Sequence, residues 1–230
     1  MKKIKVSLEK LLEAGAHFGH QSRRWNPKMD PYLYGVENGV HVFDLLKTKE
    51  ELEKALEVLQ KTAMEGKKIV FVGTKKQVKE KIAEVATGSG QFYVNERWLG
   101  GTLTNFDQIN KSLKKLAEMK SKRENGDYKN FTKKERLLID REITRLERFF
   151  GGLEGLKEKP DLLVIIDLKK EKGAANEAKM LGITTIGIVD TNCDPDLVDF
   201  VVPMNDDATR ALIYVLDLMK EAVTKSANKS

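Results

Sequence analysis

The chain of 230 residues contains a single cysteine, Cys193, and this scarcity is the first constraint on its function. One thiol excludes an intrachain disulfide framework and a cysteine-based zinc finger, and it fits a reducing compartment. No activating base lies near it in the sequence, so we expect a buried, inert thiol. Long apolar runs are also missing. No stretch approaches the roughly 20 apolar residues of a membrane helix, and no apolar signal-peptide segment follows the basic start. These absences favour a cytosolic protein.

The signature motifs of common enzymes are missing as well. The sequence has no G-x-G-x-x-G, no P-loop, no G-x-S-x-G and no H-E-x-x-H. Neither a standard nucleotide site nor a familiar catalytic centre is therefore predicted, and we expect no cofactor and no enzymatic activity.

Two weak patterns leave a metal site open. Asp190, Asn192 and Asp194 match the start of a calcium loop, but a proline stands where that loop needs glycine. His17 and His20 have a spacing that could share a metal on a helix, but the glycine between them argues against a helix. We therefore expect no specific metal site.

Positive charge is present in modest excess and is unevenly distributed. Lys and Arg number 41 against 35 Asp and Glu, which gives +6 and a pI near 9.1. Residues 1–34 carry +4, 35–104 carry +1, 105–150 carry +5 and 151–230 carry −4. Two basic regions suggest a polyanionic partner, while a solvated helical surface is the alternative for the middle region.

Short apolar runs without polar alternation predict strands that are buried on both faces. The runs lie at 69–72, 92–94, 162–166, 185–189 and 200–202. Helical patterns at 76–85, 174–181 and 206–223 stand among these runs, and strands separated by helices are typical of a parallel sheet. The sequence therefore predicts a doubly wound α/β fold.

The N-terminal part has less regular signals. Ser7 is a plausible N-cap for a helix to residue 14, and 17–39, rich in glycine and proline, is interpreted as an extended or looped arm. The sequence T-K-E-E at 48–51 resembles a capping box and predicts a helix over 48–65.

The middle region interrupts the alternation with two helical stripes. The apolar positions are Phe106, Ile109, Leu113 and Leu116 in the first stripe, and Ile139, Ile143, Leu146 and Phe150 in the second. A turn-rich stretch separates them, and T-K-K-E at 132–135 is a capping box. We predict an antiparallel helical hairpin over 105–150 that is inserted in, and projects from, a sheet domain formed by 1–104 and 151–230.

Three segments carry chemistry suited to a polyanion. Residues 23–28 read R-R-W-N-P-K, and residues 97–105 read R-W-L-G-G-T-L-T-N. Guanidinium and ammonium groups neutralise phosphates, while an indole stacks on bases. Lys75 and Lys76 are expected to open a helix after a strand, where free N–H groups favour an anion. The alternatives are packing for Trp25 and Trp98 and simple solvation for the lysines.

Several long motifs resemble the bacterial small-subunit ribosomal protein two family. They are L-L-E-A-G-A-H-F-G-H-Q at 11–21, R-R-W-N-P-K-M at 23–29, F-V-G-T-K-K-Q at 71–77, Q-F-Y-V-N-E-R-W-L-G-G-T-L-T-N-F at 91–106 and V-D-T-N-C-D-P-D at 189–196. The ending near Pro203 and 205–207 also fits, and the motifs occur in order over most of the chain.

The resemblance implies a five-stranded flavodoxin-like sheet with a coiled-coil hairpin, and a non-catalytic constituent of the small ribosomal subunit. It implies partners in small-subunit rRNA, in neighbouring ribosomal proteins and, in bacteria that possess it, in small-subunit ribosomal protein one, hence a link to translation initiation. It implies no membrane or DNA partner. With the basic regions, it predicts these rRNA contacts: Lys2, Lys3, Arg23, Arg24, Trp25, Asn26, Lys28, Lys75, Lys76, Arg97, Trp98, Thr102, Thr104, Asn105, Lys111, Lys114 and Lys115.

Some features depart from the family pattern, and two other functions stay open. Gly173, Asn176 and Thr184 differ from the residues usual there, which bears on local packing. One alternative is a nucleotide- or metal-dependent enzyme at the strand ends near Gly73 and Asp190. The other is an interaction module that binds protein through the two hairpin stripes.

Overall fold

The structure, a computed structural model, describes residues 4–227 and contains two sheets. The predicted contacts Lys2 and Lys3 lie outside the described residues. The larger sheet has five parallel strands: β4 (Ile69–Val72), β5 (Phe92–Val94), β6 (Leu162–Ile165), β7 (Thr184–Val189) and β8 (Phe200–Pro203). Their spatial order is β5-β4-β6-β7-β8. Chain order therefore reverses between β4 and β6, as in flavodoxin-like folds, which confirms the predicted fold class.

Side chains on these strands point alternately to two apolar layers. On β4, Ile69 and Phe71 join one cluster of buried residues, and Val70 and Val72 join the other. All four are at most 2% exposed, which explains why the sequence shows no polar alternation.

Helices cover both faces of this sheet. The first layer packs under α1 (Leu8–Glu13), α2 (Leu45–Met64), α3 (Lys79–Gly88) and α7 (Thr209–Ala227), and the second under α6 (Lys172–Leu181). Among residues 4–227, no helix has both the length and the apolar character required to cross a membrane.

The predicted hairpin is formed by α4 (Phe106–Asn125) and α5 (Lys133–Phe150), inserted between β5 and β6. Thr132 accepts the N–H of Glu135, and the Glu135 carboxylate accepts the N–H of Thr132, so the capping box is confirmed. The inner stripe residues Leu116 and Ile143 are at most 2% exposed and belong to the same apolar cluster as the sheet. Coiled-coil geometry for the pair stays a prediction.

The segment 17–39, predicted as an extended or looped arm, belongs to a second sheet that the sequence did not predict. This segment supplies β1 (Phe18–Gln21) and β2 (Leu33–Glu37), which pair with β3 (Val40–Phe43) in an antiparallel sheet of order β1-β3-β2. Asn38 and Gly39, with φ of 50° and 76°, form the tight turn between β2 and β3. An Asn-Gly pair is a strong hairpin signal, and the glycine and proline content of the segment concealed it.

Three helices begin elsewhere than predicted. α2 starts at Leu45 with Asp44 as its N-cap, so the T-K-E-E motif lies inside the helix and Thr48 instead donates to the carbonyl of Pro203 at 2.6 Å. α3 starts at Lys79, so Lys75 and Lys76 do not open a helix but lie in the preceding loop. α7 starts at Thr209, since Asn205 accepts the N–H groups of the following loop.

Candidate nucleic-acid interface

The first basic segment is a pair of short 3-10 turns, Ser22–Arg24 and Pro27–Tyr32, that follow β1. Arg23 and Arg24 are exposed, and within residues 4–227 neither forms an ion pair. Arg23 Nε donates to the Gln21 side chain at 3.0 Å, which orients the guanidinium without neutralising it. Two unneutralised guanidiniums on an ordered turn give this surface the positive charge that attracts phosphates.

Trp25, Asn26 and Lys28 have structural partners in the same segment. The Trp25 ring stacks on His41 with centroids 4.6 Å apart, and the Asn26 N–H donates to the carbonyl of Thr191 at 2.7 Å. Lys28 Nζ lies 3.0 Å from Asp194 and 2.6 Å from Asp196. The Asn26 and Lys28 contacts attach the turn to the loop after β7, and the Trp25 contact attaches it to β3. Because both carboxylates already face Lys28, its charge is largely compensated.

The second segment is the loop 95–105, which follows β5 at the edge of the parallel sheet. Arg97, Thr104 and Asn105 are exposed, and Trp98 is half-buried. Thr102 is only 5% exposed, and its hydroxyl donates to the carbonyl of Leu99 at 2.6 Å. The Thr102 side chain therefore faces inward, away from any RNA. Within residues 4–227, Arg97 has no ion-pair partner.

A carboxylate that the sequence interpretation missed organises this loop. Glu177 on α6 accepts hydrogen bonds from the indole of Trp98 at 3.0 Å and from the backbone of Gly101, Leu103 and Thr104 at 2.9–3.0 Å. The partners lie more than 70 residues apart in sequence, so no local pattern could have revealed them.

The hairpin carries the largest group of unpaired cations. Lys115 pairs with Glu142 at 2.9 Å, which leaves Lys111 and Lys114 exposed and without an ion-pair partner in the described chain. Five further exposed cations of the hairpin also have none there, and our prediction omitted them: Lys129, Lys133, Lys134, Arg136 and Arg141. Three of them, Lys129, Lys133 and Lys134, stand beside the Thr132 cap, so the capping box was a signal that could have found them.

The two Lys residues after β4 differ in their surroundings. Lys76 is exposed, and no ion pair involves it within residues 4–227. Lys75 Nζ instead lies 2.7 Å from Asp206, 2.7 Å from Asp207 and 3.2 Å from Asp167. Its side chain is 15% exposed. Lys75 is thus occupied by carboxylates at the carboxyl edge of the sheet, and this position does not suit a phosphate contact.

Asp190 and His20 complete this carboxyl-edge cluster, which comprises His20, Lys75, Asp167, Asp190, Asp206 and Asp207. Asp190 is fully buried and lies 3.0 Å from His20 Nδ1, and its other oxygen accepts the N–H of Asp206 at 3.1 Å. His20 comes from β1, so the cluster joins the small sheet to the large one. This contact requires a glycine at position 19, because a Cβ at Gly19 would lie 3.0 Å from the carbonyl oxygen of His41 and would collide with the Thr191 side chain.

Burial and charge shift the protonation of the cluster. The hydrogen bond with Asp190 raises the pKa of His20; burial opposes the rise, and the charges of Asp190, Asp206 and Asp207 add to it. Burial raises the pKa of Asp206 to about 7, with the charges of Asp190 and Asp167 adding to the rise. Lys75 opposes the rise, but it is shared among three carboxylates and does not keep Asp206 fully ionised.

The same contacts bear on the metal and enzyme alternatives. Among residues 4–227, no three His, Cys, Asp or Glu side chains are arranged to hold one metal ion. Asp190 and Asp194, the outer acids of the calcium-like pattern, have different partners, His20 and Lys28. The charged groups at the strand ends near Gly73 and Asp190 pair with one another. The stripe-binding alternative is wrong for the inner stripe residues, because α4 and α5 bury them.

Fold and interface together define a flavodoxin-like α/β protein with an inserted helical hairpin and unpaired cations on its turns and helices. A family model described as ribosomal protein S2 matches residues 11–226, nearly the whole chain. The chain belongs to the ribosomal protein S2 family, whose members are structural components of the small ribosomal subunit and are not, in general, enzymes.

Proposed function

We propose that the protein binds small-subunit rRNA through three surfaces: the turn 22–28, the loop 95–105 and the hairpin 106–150. The observation that carries the proposal is the set of exposed cations on all three that have no ion-pair partner within residues 4–227, among them Arg23, Arg24 and Arg97. Such groups release counterions when they meet phosphates, which drives binding. Cytoplasmic, ribosome-associated localisation follows from this role.

The proposal keeps some predicted contacts and changes the role of others. Seven predicted contacts expose side chains that have no ion-pair partner within residues 4–227: Arg23, Arg24, Lys76, Arg97, Asn105, Lys111 and Lys114. The hairpin adds its five further cations. Six other predicted contacts have intramolecular partners, so we assign them the role of shaping the surface around the first group. They are Trp25, Asn26, Lys28, Trp98, Thr104 and Lys115. The proposed rRNA contacts no longer include Lys75 and Thr102.

Salt titration of rRNA binding tests the proposal. The slope of log K against log salt is negative, and each lost phosphate contact makes it less steep by roughly 0.7–0.9, so Arg23→Ala with Arg24→Ala should make it less steep by about 1.4–1.8. The matched control is Arg145→Ala with Arg148→Ala, because these two exposed arginines already pair with Glu142 and Glu96. Equal slopes for both double variants would contradict a role for the turn.

The proposal extends to docking of small-subunit ribosomal protein one, and hence to translation initiation. Exposed apolar side chains support a protein contact, since Phe131, Leu137 and Leu138 on the hairpin are 43–54% exposed. Purified protein one should bind the native chain and bind Leu137→Ser with Leu138→Ser more weakly, while rRNA affinity stays the same. Unchanged capture of protein one would remove this surface from the proposal.

A further inference from the structure

The carboxylate of Glu177 is saturated by five donors from one loop. Oε1 accepts the indole N–H of Trp98 at 3.0 Å and the N–H of Gly101 at 2.9 Å. Oε2 accepts the N–H groups of Leu103 and Thr104 and the Thr104 hydroxyl at 2.9–3.1 Å. Glu177 is 9% exposed. A buried anion thus sits at the centre of a loop predicted to face RNA.

Backbone N–H groups that converge on one point form an anion-binding concavity. Gly101 makes this geometry possible, because its φ of 89° is strained for residues with a side chain. The anion in the concavity is the protein's own, so a phosphate cannot use these donors. Trp98 and Thr104 therefore direct their donors inward, and the loop offers RNA its outward groups, Arg97 and Asn105.

The hydrogen bonds also keep Glu177 charged. Burial raises its pKa, but the bonds from Thr104, Trp98, Leu103 and Gly101 outweigh burial and leave the pKa below its ordinary value. Charge-assisted bonds of this kind are about twice as strong as neutral ones.

The helix that carries Glu177 also contacts the other end of the interface. Lys179 Nζ donates to the carbonyl of Asp196 at 2.8 Å, and the Asp196 carboxylate lies 2.6 Å from Lys28. One helix, α6, therefore connects the loop 98–104 with the turn that carries Arg23 and Arg24.

We propose that Glu177 is a positioning residue for RNA binding: from α6 it holds the loop 98–104 in the conformation that presents Arg97 and Asn105 to the rRNA. The inference rests on the proposed function and adds a residue that never touches the RNA. An amide in place of the carboxylate keeps one accepting oxygen but turns an NH2 donor toward the two N–H groups that the other oxygen accepted. Residues 98–104 contain no charged group that could accept them instead.

Glu177→Gln tests the inference, with Glu171→Gln as its control. Glu171 is 3% exposed, precedes the same helix and bonds Thr74 instead of the loop. We expect Glu177→Gln to weaken binding to small-subunit rRNA about tenfold, the size of one lost charge-assisted contact, and Glu171→Gln to change it less than twofold. Equal losses in the two variants would overturn the inference, since they would reflect general damage to α6.

A double-variant cycle separates positioning from simple structural damage. If Glu177 acts through Arg97, the affinity losses caused by Arg97→Ala and by Glu177→Gln share one origin. The double variant should then bind rRNA with about the affinity of whichever single variant binds it more weakly. If the fold losses of affinity in the two single variants multiply in the double variant, the inference is overturned. The indole N–H resonance of Trp98, assigned with Trp98→Phe, should move in Glu177→Gln and stay in place in Glu171→Gln. An unmoved resonance in Glu177→Gln would show that the bond does not form.

These experiments distinguish a failure of the proposed function from a failure of the positioning role of Glu177. If the unmodified chain shows no salt-dependent rRNA binding, rRNA binding itself is wrong. If that chain binds and Arg97→Ala weakens it, but Glu177→Gln does not, only the positioning role is wrong.

Discussion

Replacing His20 with Asn should make folding stability less dependent on pH. In the native protein, His20 Nδ1 faces the fully buried Asp190 at 3.0 Å, and Asp207 lies 3.9 Å from Nε2. An Asn side chain places a neutral donor near the position of Nδ1, so the substitution removes the charge while keeping a hydrogen bond. It thereby isolates the electrostatic part of the contact.

The sign of the effect follows from the direction of the pKa shift. The folded pKa of His20 lies above its ordinary value, so its stabilising contribution is complete below about pH 6.5 and is lost as pH rises through the folded pKa. Asp206 changes the stability in the same direction. Its folded pKa is about 7, so between its ordinary pKa and about pH 7 the folded chain binds a proton at this carboxyl that the unfolded chain does not, and the stability falls as the pH rises. Stability of the native chain should therefore fall between pH 5.5 and 8.5.

The magnitude follows from the bond that changes. The Asn side chain still donates to the Asp190 carboxylate, so the substitution removes only the positive charge of the imidazolium from the pair. A partly exposed charge pair contributes up to about 1 kcal/mol, and His20→Asn should therefore cost about 1 kcal/mol at pH 5.5 and less at pH 8.5, where less of the imidazole is protonated.

Urea unfolding followed by circular dichroism at the two pH values measures this difference. Lys28→Ala is the control, because its ion pairs with Asp194 and Asp196 are exposed and its cost should be small and the same at both pH values. A cost of His20→Asn that is equal at both pH values, or a native stability that rises toward pH 8.5, would refute the electrostatic account of the cluster.

Three further predictions concern the hairpin and the thiol. Leu116→Ala should cost about 2–5 kcal/mol in urea unfolding and Leu138→Ala under about 0.5 kcal/mol, because only Leu116 is fully buried; similar costs would contradict the packing. Thr132→Ala should cost about 1 kcal/mol by loss of the capping box, and Thr144→Ala, inside α5, much less; the reverse order would contradict the cap. Burial raises the pKa of Cys193 to about 12, so it should react with a disulfide reagent at pH 8 only after unfolding in urea, and rapid native labelling would contradict its burial.

The parallel sheet and the hairpin were predictable because their signals are local. A strand buried on both faces reads as an unbroken apolar run, as at Ile69–Val72, and the Thr132 capping box satisfies helix-end groups within four residues. The small antiparallel sheet was missed because its strands are short and partly exposed, and its Asn38-Gly39 turn was interpreted as loop chemistry.

The site was predictable only as a set of basic segments. Which cations stay free depends on contacts between distant residues, and these leave no local pattern. Lys75 meets Asp206 across 131 residues and Lys28 meets Asp194 across 166. The sequence left Trp98 open between stacking on a base and packing within the protein, and only the fold shows that Glu177, 79 residues later, accepts its indole N–H. Composition thus identifies the surface, and tertiary pairing decides which of its groups are available.

The attachment of β1 to the loop after β7 has a consequence for synthesis. His20 and Asp190 are 170 residues apart, and at roughly 5–20 residues per second the second partner is made roughly 10–30 s after the first. Until then the Arg23-Arg24 turn lacks the backbone of Thr191 that holds Asn26. The hairpin cations are complete earlier in translation. A chain that stops before residue 190 therefore contains the complete hairpin but lacks the contacts that attach the turn, so only a longer chain can form both of the proposed surfaces.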